Sequence, residues 1–451
     1  MADLTYRLDC PDIARNKARY FLALLAAITG LRLRPGDTDA DIVYGVKGGD
    51  QSLTIPCQDL PSPLKWRTLT SDDYTLILPE SVKPPLTDPS NRLLSFDIFA
   101  VMASYFENKL GSSNEPVNLG ENNTDILKPQ FGSYVNYFLH LLKQCGKLPG
   151  SFQPESPWPS QAPFALGLSY DIDILKRKIP GSLAMLANAM FTRRSFGALS
   201  SSFKGLADAA KSQLLGRVNP YCQFGRLFRP GLSSTVFIYA RQRRDRRDPT
   251  YSLKSVKAKL THFLTSDIEL ALHNGIGTWN SPEILADARQ SLSAQFNKEV
   301  SGIRPHFLNL KLPDFWKNIL GFKYSSSVGS DSAPGFTFGL NFPFFGFALP
   351  DWRKIDILEL PIALMDCALF TIENENTRLQ VINELVDRCC LNHGLLVIDW
   401  HNTSAYESDF PGWLEAHNYI INRARQKGAF IGSLGQISDI WRSRCESVFS
   451  F

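Results

Sequence analysis

Beyond residue 164 the sequence alternates strand-like apolar runs with helix-like stretches, and this alternation constrains the fold more than any other feature. Strands are expected at Phe164–Ser169, Ser234–Tyr239, Ile268–His273, Ile355–Leu360, Gly394–Trp400 and Ala429–Ser433. Helices are expected between them, at Leu183–Ala189, Leu253–Leu264, Pro282–Phe296, Asn376–Cys390 and Pro411–Lys427. Sustained over roughly 280 residues, such a pattern argues for an α/β chain built on a parallel sheet, open or closed into a barrel. In both architectures the chemistry belongs at the C-terminal ends of the strands.

The region before it is organised differently. Ala14 to Leu31 is helix-like, and short strands are expected at Asp41–Gly45 and Ser52–Pro56, each closed by a breaker. Helices are expected at Asp97–Lys109 and Ser133–Cys145. Between Leu148 and Phe164 there are five prolines in 15 residues, which can continue neither a helix nor a central strand. The chain therefore divides into a small α/β domain over 1–147, a proline-rich linker over 148–163 and a larger domain over 164–451.

Composition narrows the function classes. With 48 Lys and Arg against 44 Asp and Glu the net charge is only +4, without the basic excess of a nucleic-acid binder. The eight cysteines form no C-x-x-C and read as reduced thiols, which points to a cytoplasmic chain. Charges interrupt the first dozen residues where a signal peptide needs an apolar core. The apolar run from Tyr20 to Thr29 is half the ~20 residues a membrane span requires, so no transmembrane segment is expected. There is no G-x-G-x-x-G, Walker loop, G-x-S-x-G or H-E-x-x-H.

Only seven histidines are present, so any metal or acid–base chemistry that uses histidine must be found among them. Those at 140, 262, 393 and 417 fall in helices or turns and read as structural, whereas His273, His306 and His401 fall at or just past strand ends. The first strand runs into Tyr170-Asp171-Ile172-Asp173, two carboxylates suited either to a metal ligand plus a general base or to capping a helix. Arg304 lies two residues before His306, where it could orient a carboxylate. Five arginines between Arg241 and Arg247 suit a solvated loop or an anionic contact.

In this order, Ala165-Leu-Gly-Leu-Ser-Tyr-Asp171-Ile-Asp173, Leu272-His273, Gly302-Ile-Arg304-Pro-His306-Phe and Trp400-His401-Asn402 resemble the polysaccharide deacetylase (NodB-homology) superfamily. They are most similar to its bacterial branch with a small α/β domain in front. The resemblance covers roughly 164–445 and implies a distorted parallel (β/α) barrel that removes an acetyl group from an N-acetylated sugar. It implies a divalent metal, usually zinc, with Asp173 and His273 as ligands, Asp171 as base, Arg304 orienting that base and His401 as general acid. The family's second metal histidine falls at Gly277, which has no ligating side chain, and its first-motif histidine at Tyr170. His306 is the remaining histidine that can complete a three-ligand site. Tyr170, Trp279, Trp400 and Asn402 are candidate sugar contacts, and the expected partner is an acetylated sugar or glycan. The alternative is a degenerate barrel that only binds a glycan or a protein.

Overall fold

The computed structural model describes residues 2–449 apart from 38, 46–50, 61–64, 71–74, 89–91, 112–126, 128, 180–182, 184–195, 216–217, 241–244 and 266. The N-terminal region contains β1 (Asp3–Leu8), α1 (Asp12–Thr29), β2 (Arg32–Pro35), β3 (Ile42–Gly45) and β4 (Leu53–Pro56). It continues with the hairpin β5 (Trp66–Thr70) and β6 (Thr75–Pro79), β7 (Thr87–Asp88), β8 (Leu93–Leu94), α2 (Ile98–Gly111) and α3 (Phe131–Gln144). Six of these strands form a sheet in the order β2-β1-β3-β4-β8-β7, parallel except for the β7–β8 pair. Helix α1 stops at Thr29, two residues short of the expected end. Gly30 takes a left-handed cap (φ 78°) whose N–H bonds back to Ala26, a conformation that costs little only without a Cβ.

The larger region begins with β9 (Ala165–Ile172), buried along its whole length as a central parallel strand should be. In chain order there follow α4 (Phe196–Leu214), β10 (Ser234–Tyr239), α5 (Leu253–Leu260), β11 (Ile268–Asn274), α6 (Pro282–Phe296), β12 (Val300–Pro305) and α7 (Asp314–Asn318). Then come β13 (Tyr324–Ser325), β14 (Phe344–Ala348), β15 (Arg353–Glu359), β16 (Ile362–Met365), α8 (Asp366–Leu369) and α9 (Glu375–Asn392). The chain closes with β17 (Leu395–His401), α10 (Trp413–Gln426), β18 (Phe430–Gly432) and α11 (Leu434–Val448). The expected strands recur within a few residues, while the expected helix at Leu183–Ala189 lies outside the described residues except for Leu183.

These strands form one sheet in the order β14-β15-β13-β12-β11-β10-β9-β17-β16, with β18 beside the start of β9. All pairs are parallel except β14–β15. Pairing closes no ring among the described residues, so the expected barrel is a sheet whose ends β14 and β16 are unpaired with each other. The sheet is strongly curled. Arg304 on β12 contacts Asp399 on β17, four strands away, whereas a flat sheet would separate those strands by about 19 Å.

Four strands of this sheet escaped the sequence reading, β12, β13, β14 and β16, as did β1, β2, β5, β6, β7 and β8 in the N-terminal region. In β12 the sequence Val-Ser-Gly-Ile-Arg-Pro looks like a turn, yet Gly302 serves close packing. A Cβ there would come within 2.1 Å of the Tyr324 ring on the neighbouring strand.

The proline-rich segment is anchored rather than free. Leu148 and Trp158 are buried, and the Trp158 indole N–H donates to the His393 carbonyl. The two regions share one continuous apolar core. Phe21, Phe106 and Phe347 surround Trp352, whose indole N–H donates to Glu107, and the Tyr20 hydroxyl donates to the Phe345 carbonyl. Among the described residues no helix is long and apolar enough to cross a membrane.

Candidate metal centre

Side chains on a strand alternate between faces. On β9 this turns Ser169 and Asp171 toward the concave interior and Tyr170 and Ile172 away from it, with Asp173 just past the strand end. Register then gathers the site: Asp171 lies opposite His401, Ser169 opposite Asp399, and His273 opposite Arg304.

Three donors converge at the C-terminal ends of β9, β11 and β12. One ligating atom each from Asp173, His273 and His306 lies within 4.8 Å of the other two. His273 Nε2 is 3.5 Å from Asp173 Oδ1, and His306 Nε2 is 3.7 Å from Asp173 Oδ2. A tetrahedral ion with ligands at ~2.0–2.2 Å places them ~3.4 Å apart, so these spacings fit one ion. Asp173 Oδ1 and His273 Nε2 are buried with no hydrogen-bond partner, a costly state for two polar atoms unless something bridges them.

The other ring nitrogens are committed elsewhere. His273 Nδ1 is 2.9 Å from the Arg304 carbonyl, so it carries the proton and leaves a lone pair on Nε2. His306 Nδ1 faces Asp248 Oδ1 at 3.2 Å, which fixes the same tautomer. Asp248 is buried and held by the backbone N–H groups of Asp245 and Ile276. His306 reaches the site from a tight turn in which Phe307 (φ 56°) and Leu308 (φ 46°) are left-handed, a conformation that costs about 1–3 kcal/mol per residue.

Beside the trio, Arg304 is fully buried and every guanidinium nitrogen has a partner. Nε donates to the Ser326 carbonyl, Nη2 to the Ser169 and Ser326 hydroxyls, and Nη1 to Asp171 Oδ1 at 2.8 Å. Its face lies 4.1 Å from the Phe237 ring centroid, so an aromatic quadrupole adds to the stabilisation of this buried cation. Asp399 is 2.7 Å from the same Nη1 but lacks hydrogen-bond alignment. Asp171, Asp399 and His401 also cluster tightly enough to hold an ion, but the guanidinium between the two carboxylates already supplies the positive charge there.

His401 is backed by Asp366, whose carboxylate is 2.7 Å from Nδ1 and also accepts from the His401 backbone N–H and the Ser404 hydroxyl. Its Nε2 points back to Asp173 Oδ2 at 3.6 Å.

The electrostatics follow from this packing. Burial pushes the Asp171 carboxyl up, but Arg304, His273 and His401 outweigh it and hold the group below the usual carboxylate range. Asp173 is held well below that range because the surrounding imidazoles of His273, His306 and His401 outweigh burial. Burial favours a neutral His401, yet Asp366 and Asp173 raise it well above an ordinary imidazole.

Other expected positions differ. Tyr170 and Trp400 cannot contact a ligand in the site because they alternate to the outer face. Tyr170 is 1% and Trp400 0% exposed; the Tyr170 hydroxyl meets His417 and the Leu227 carbonyl, and the Trp400 indole donates to the Trp413 carbonyl. Asn402 is buried and fully committed: Nδ2 donates to the Ile174 and Tyr221 carbonyls and Oδ1 accepts from the Asp173 N–H. It shapes the backbone that presents Asp173 and has no atom left for a sugar. Trp279 is half-buried on the loop after β11 and packs against the core. Gly277, on the same loop, is exposed with φ 73°, and its N–H donates to Asn309 Oδ1. Arg241 to Arg244 lie outside the described residues; Arg246 and Arg247 are exposed, and Arg247 pairs with Asp245.

Asp248, Asp366 and Asp399 were not singled out from sequence. Asp399 lies two residues before His401 on a strand, so alternation alone puts both on one face. Asp366 follows β16 directly, but recognising it requires that strand first.

No family model matches the chain, and no curated protein matches it. Several solved structures are similar to it. One from Pseudomonas aeruginosa PAO1, described as a probable polysaccharide deacetylase, is 14% identical over 67% of this chain and 97% of its own, with a TM-score of 0.42. The Puue allantoinase is 15% identical over 65% of this chain and 95% of its own, with a TM-score of 0.39. A CE4 family pseudoenzyme from Bacillus anthracis is 11% identical over 61% of this chain and 66% of its own, with a TM-score of 0.30.

Proposed function

We propose that this chain is a metal-dependent hydrolase that removes an acetyl group from an N-acetylated sugar. The observation that carries this reading is the pair of partnerless buried atoms, Asp173 Oδ1 and His273 Nε2, 3.5 Å apart with His306 Nε2 alongside. Asp173, His273 and His306 would hold zinc or another divalent cation; the donor set of one carboxylate and two imidazoles suits zinc. When bound, such an ion polarises an acetyl carbonyl and makes water more acidic.

The chain's own residues supply the rest. Asp171 stays ionised beside Arg304, with Oδ1 tied to the guanidinium, leaving Oδ2 to take a proton from the attacking water. His401 is protonated on Asp366 and presents Nε2 toward Asp173, placed to give a proton to the departing amine nitrogen. Water and amide are consumed, and acetate and a free amine leave. Trp279 is the remaining aromatic candidate for stacking on the sugar ring. The eight free cysteines suit a reducing, cytoplasmic compartment.

The test is acetate release from N-acetylglucosamine oligomers by zinc-loaded protein, with Asp171→Asn as control. Release by the wild type and loss of at least ~100-fold in the variant are expected. Sugar binding by the zinc-loaded wild type without any acetate release would favour the non-catalytic barrel instead.

A further inference from the structure

The segment between β9 and β10 carries ten Lys and Arg and one acid, Asp208, over residues 174–230, in a chain whose total net charge is only +4. Among its described residues Lys176, Lys178, Lys204, Lys211, Arg226 and Arg229 are exposed. Asp208 accepts from the Tyr406 hydroxyl, and Lys211 lies 4.0 Å from it at the surface, where such pairs hold little energy. The same segment exposes large apolar side chains: Phe203 at 57%, Leu214 at 77%, Leu215 at 69% and Val218 at 71%.

Helical spacing merges the two properties. At 3.6 residues per turn, Phe203, Ala207, Lys211, Leu214, Lys204 and Leu215 fall within an arc of about 120°. The opposite side of α4 is the packed one. Ala209 is buried there, and Gly205 lies against the Arg177 guanidinium, itself paired with Asp409. The helix is thereby tied to the segment that follows the His401 strand, through Asp208 to Tyr406 and through Arg177 to Asp409. Tyr406 follows the His401 strand by five residues, and Ile174, directly after Asp173, is 49% exposed. Phe307, directly after His306, is 58% exposed.

Here Phe203, Leu214 and Leu215 are grouped with the lysines on one exposed face rather than scattered singly. A surface helix with apolar and cationic residues on its outer face suits the headgroup region of an anionic bilayer, where the rings and leucines enter the acyl boundary and the lysines meet phosphates. We propose that the outer face of α4, with Leu215 just past its end, docks this protein on an anionic lipid surface. The assignment does not depend on the reaction proposed above, and its test reads no activity.

The test is co-sedimentation of the full chain with vesicles of phosphatidylcholine containing roughly a third phosphatidylglycerol, against phosphatidylcholine alone. Partition into the anionic vesicles only, weakening with salt, is expected. Phe203→Ser with Leu214→Ser should lower it at least about tenfold, and Lys204→Ala with Lys211→Ala about fivefold per lysine. Both double variants should keep the wild-type melting temperature and zinc content. Absence of wild-type partition, equal partition into neutral vesicles, or variants that partition like wild type would overturn the proposal. So would a concentration-dependent dimer that Phe203→Ser with Leu214→Ser dissolves, because a second copy would then be what the face receives.

Discussion

Asp171 and Asp399 share a single guanidinium: Arg304 Nη1 lies 2.8 Å from Asp171 and 2.7 Å from Asp399, all three buried. One cation cannot keep both carboxylates ionised in a dry interior, and their proton affinities split. Asp171, which takes the aligned hydrogen bond, stays low. Asp399 is pushed up to about 8, by burial first and then by Asp171, against the pull of Arg304. The folded state therefore binds a proton at Asp399 that the unfolded chain has released above about pH 4, and this group's contribution declines as pH rises toward 8. Asp399→Asn should accordingly keep the fold and be more stable than wild type at pH 8 by about 1 kcal/mol or more, read from urea unfolding at pH 5 and pH 8. Equal pH dependence in the two proteins would refute the split.

In the proposed metal site Asp248 acts through His306, whose Nδ1 it faces. Asp248→Asn removes the charge that steadies the His306 Nδ1 proton while keeping one of the two oxygens that accept from loop N–H groups. Zinc affinity should fall about 10- to 100-fold with the melting temperature of the metal-free protein little changed. Competition against a chromophoric chelator measures it.

His417 sets an acid limit on stability. Burial pushes it down to about 4, and its ring packs against Tyr170 and Trp400. The unfolded chain takes up a proton near pH 6.5 that the folded chain refuses until about pH 4. Stability from this group is complete above pH 6.5 and falls by about 3 kcal/mol as pH drops to 4. His417→Gln should show a shallower loss across that window in denaturant titrations.

Gly302→Ala tests the packing that disguised β12. The new methyl must displace the Tyr324 ring, whose hydroxyl donates to Glu269 across the sheet. A loss of about 1–3 kcal/mol is expected from chemical unfolding. No change in stability would mean that the ring yields freely.

Much of the candidate site is legible in the sequence because strand ends mark where chemistry collects. Asp171, Asp173, His273, Arg304, His306 and His401 are each readable from an apolar run and the polar residue that closes it. What failed was facing. Tyr170 and Trp400 are adjacent in sequence to site residues, and for that very reason they point away from the site. Charge partners such as Asp248 and Asp366 arrive from loops and short elements, and only the three-dimensional path of the chain brings them under the histidines. Gly277 illustrates the same limit: the absence of a histidine there says nothing of a donor supplied by the next strand.

That Asp173, His273 and His306 hold one divalent ion is tested most directly by zinc titration of the metal-stripped protein, wild type against His306→Ala, followed by calorimetry. One ion per wild-type chain is predicted, with affinity at least ~100-fold lower in the variant. A wild type that takes up no zinc, or a His306→Ala variant that binds it as tightly, would contradict the account.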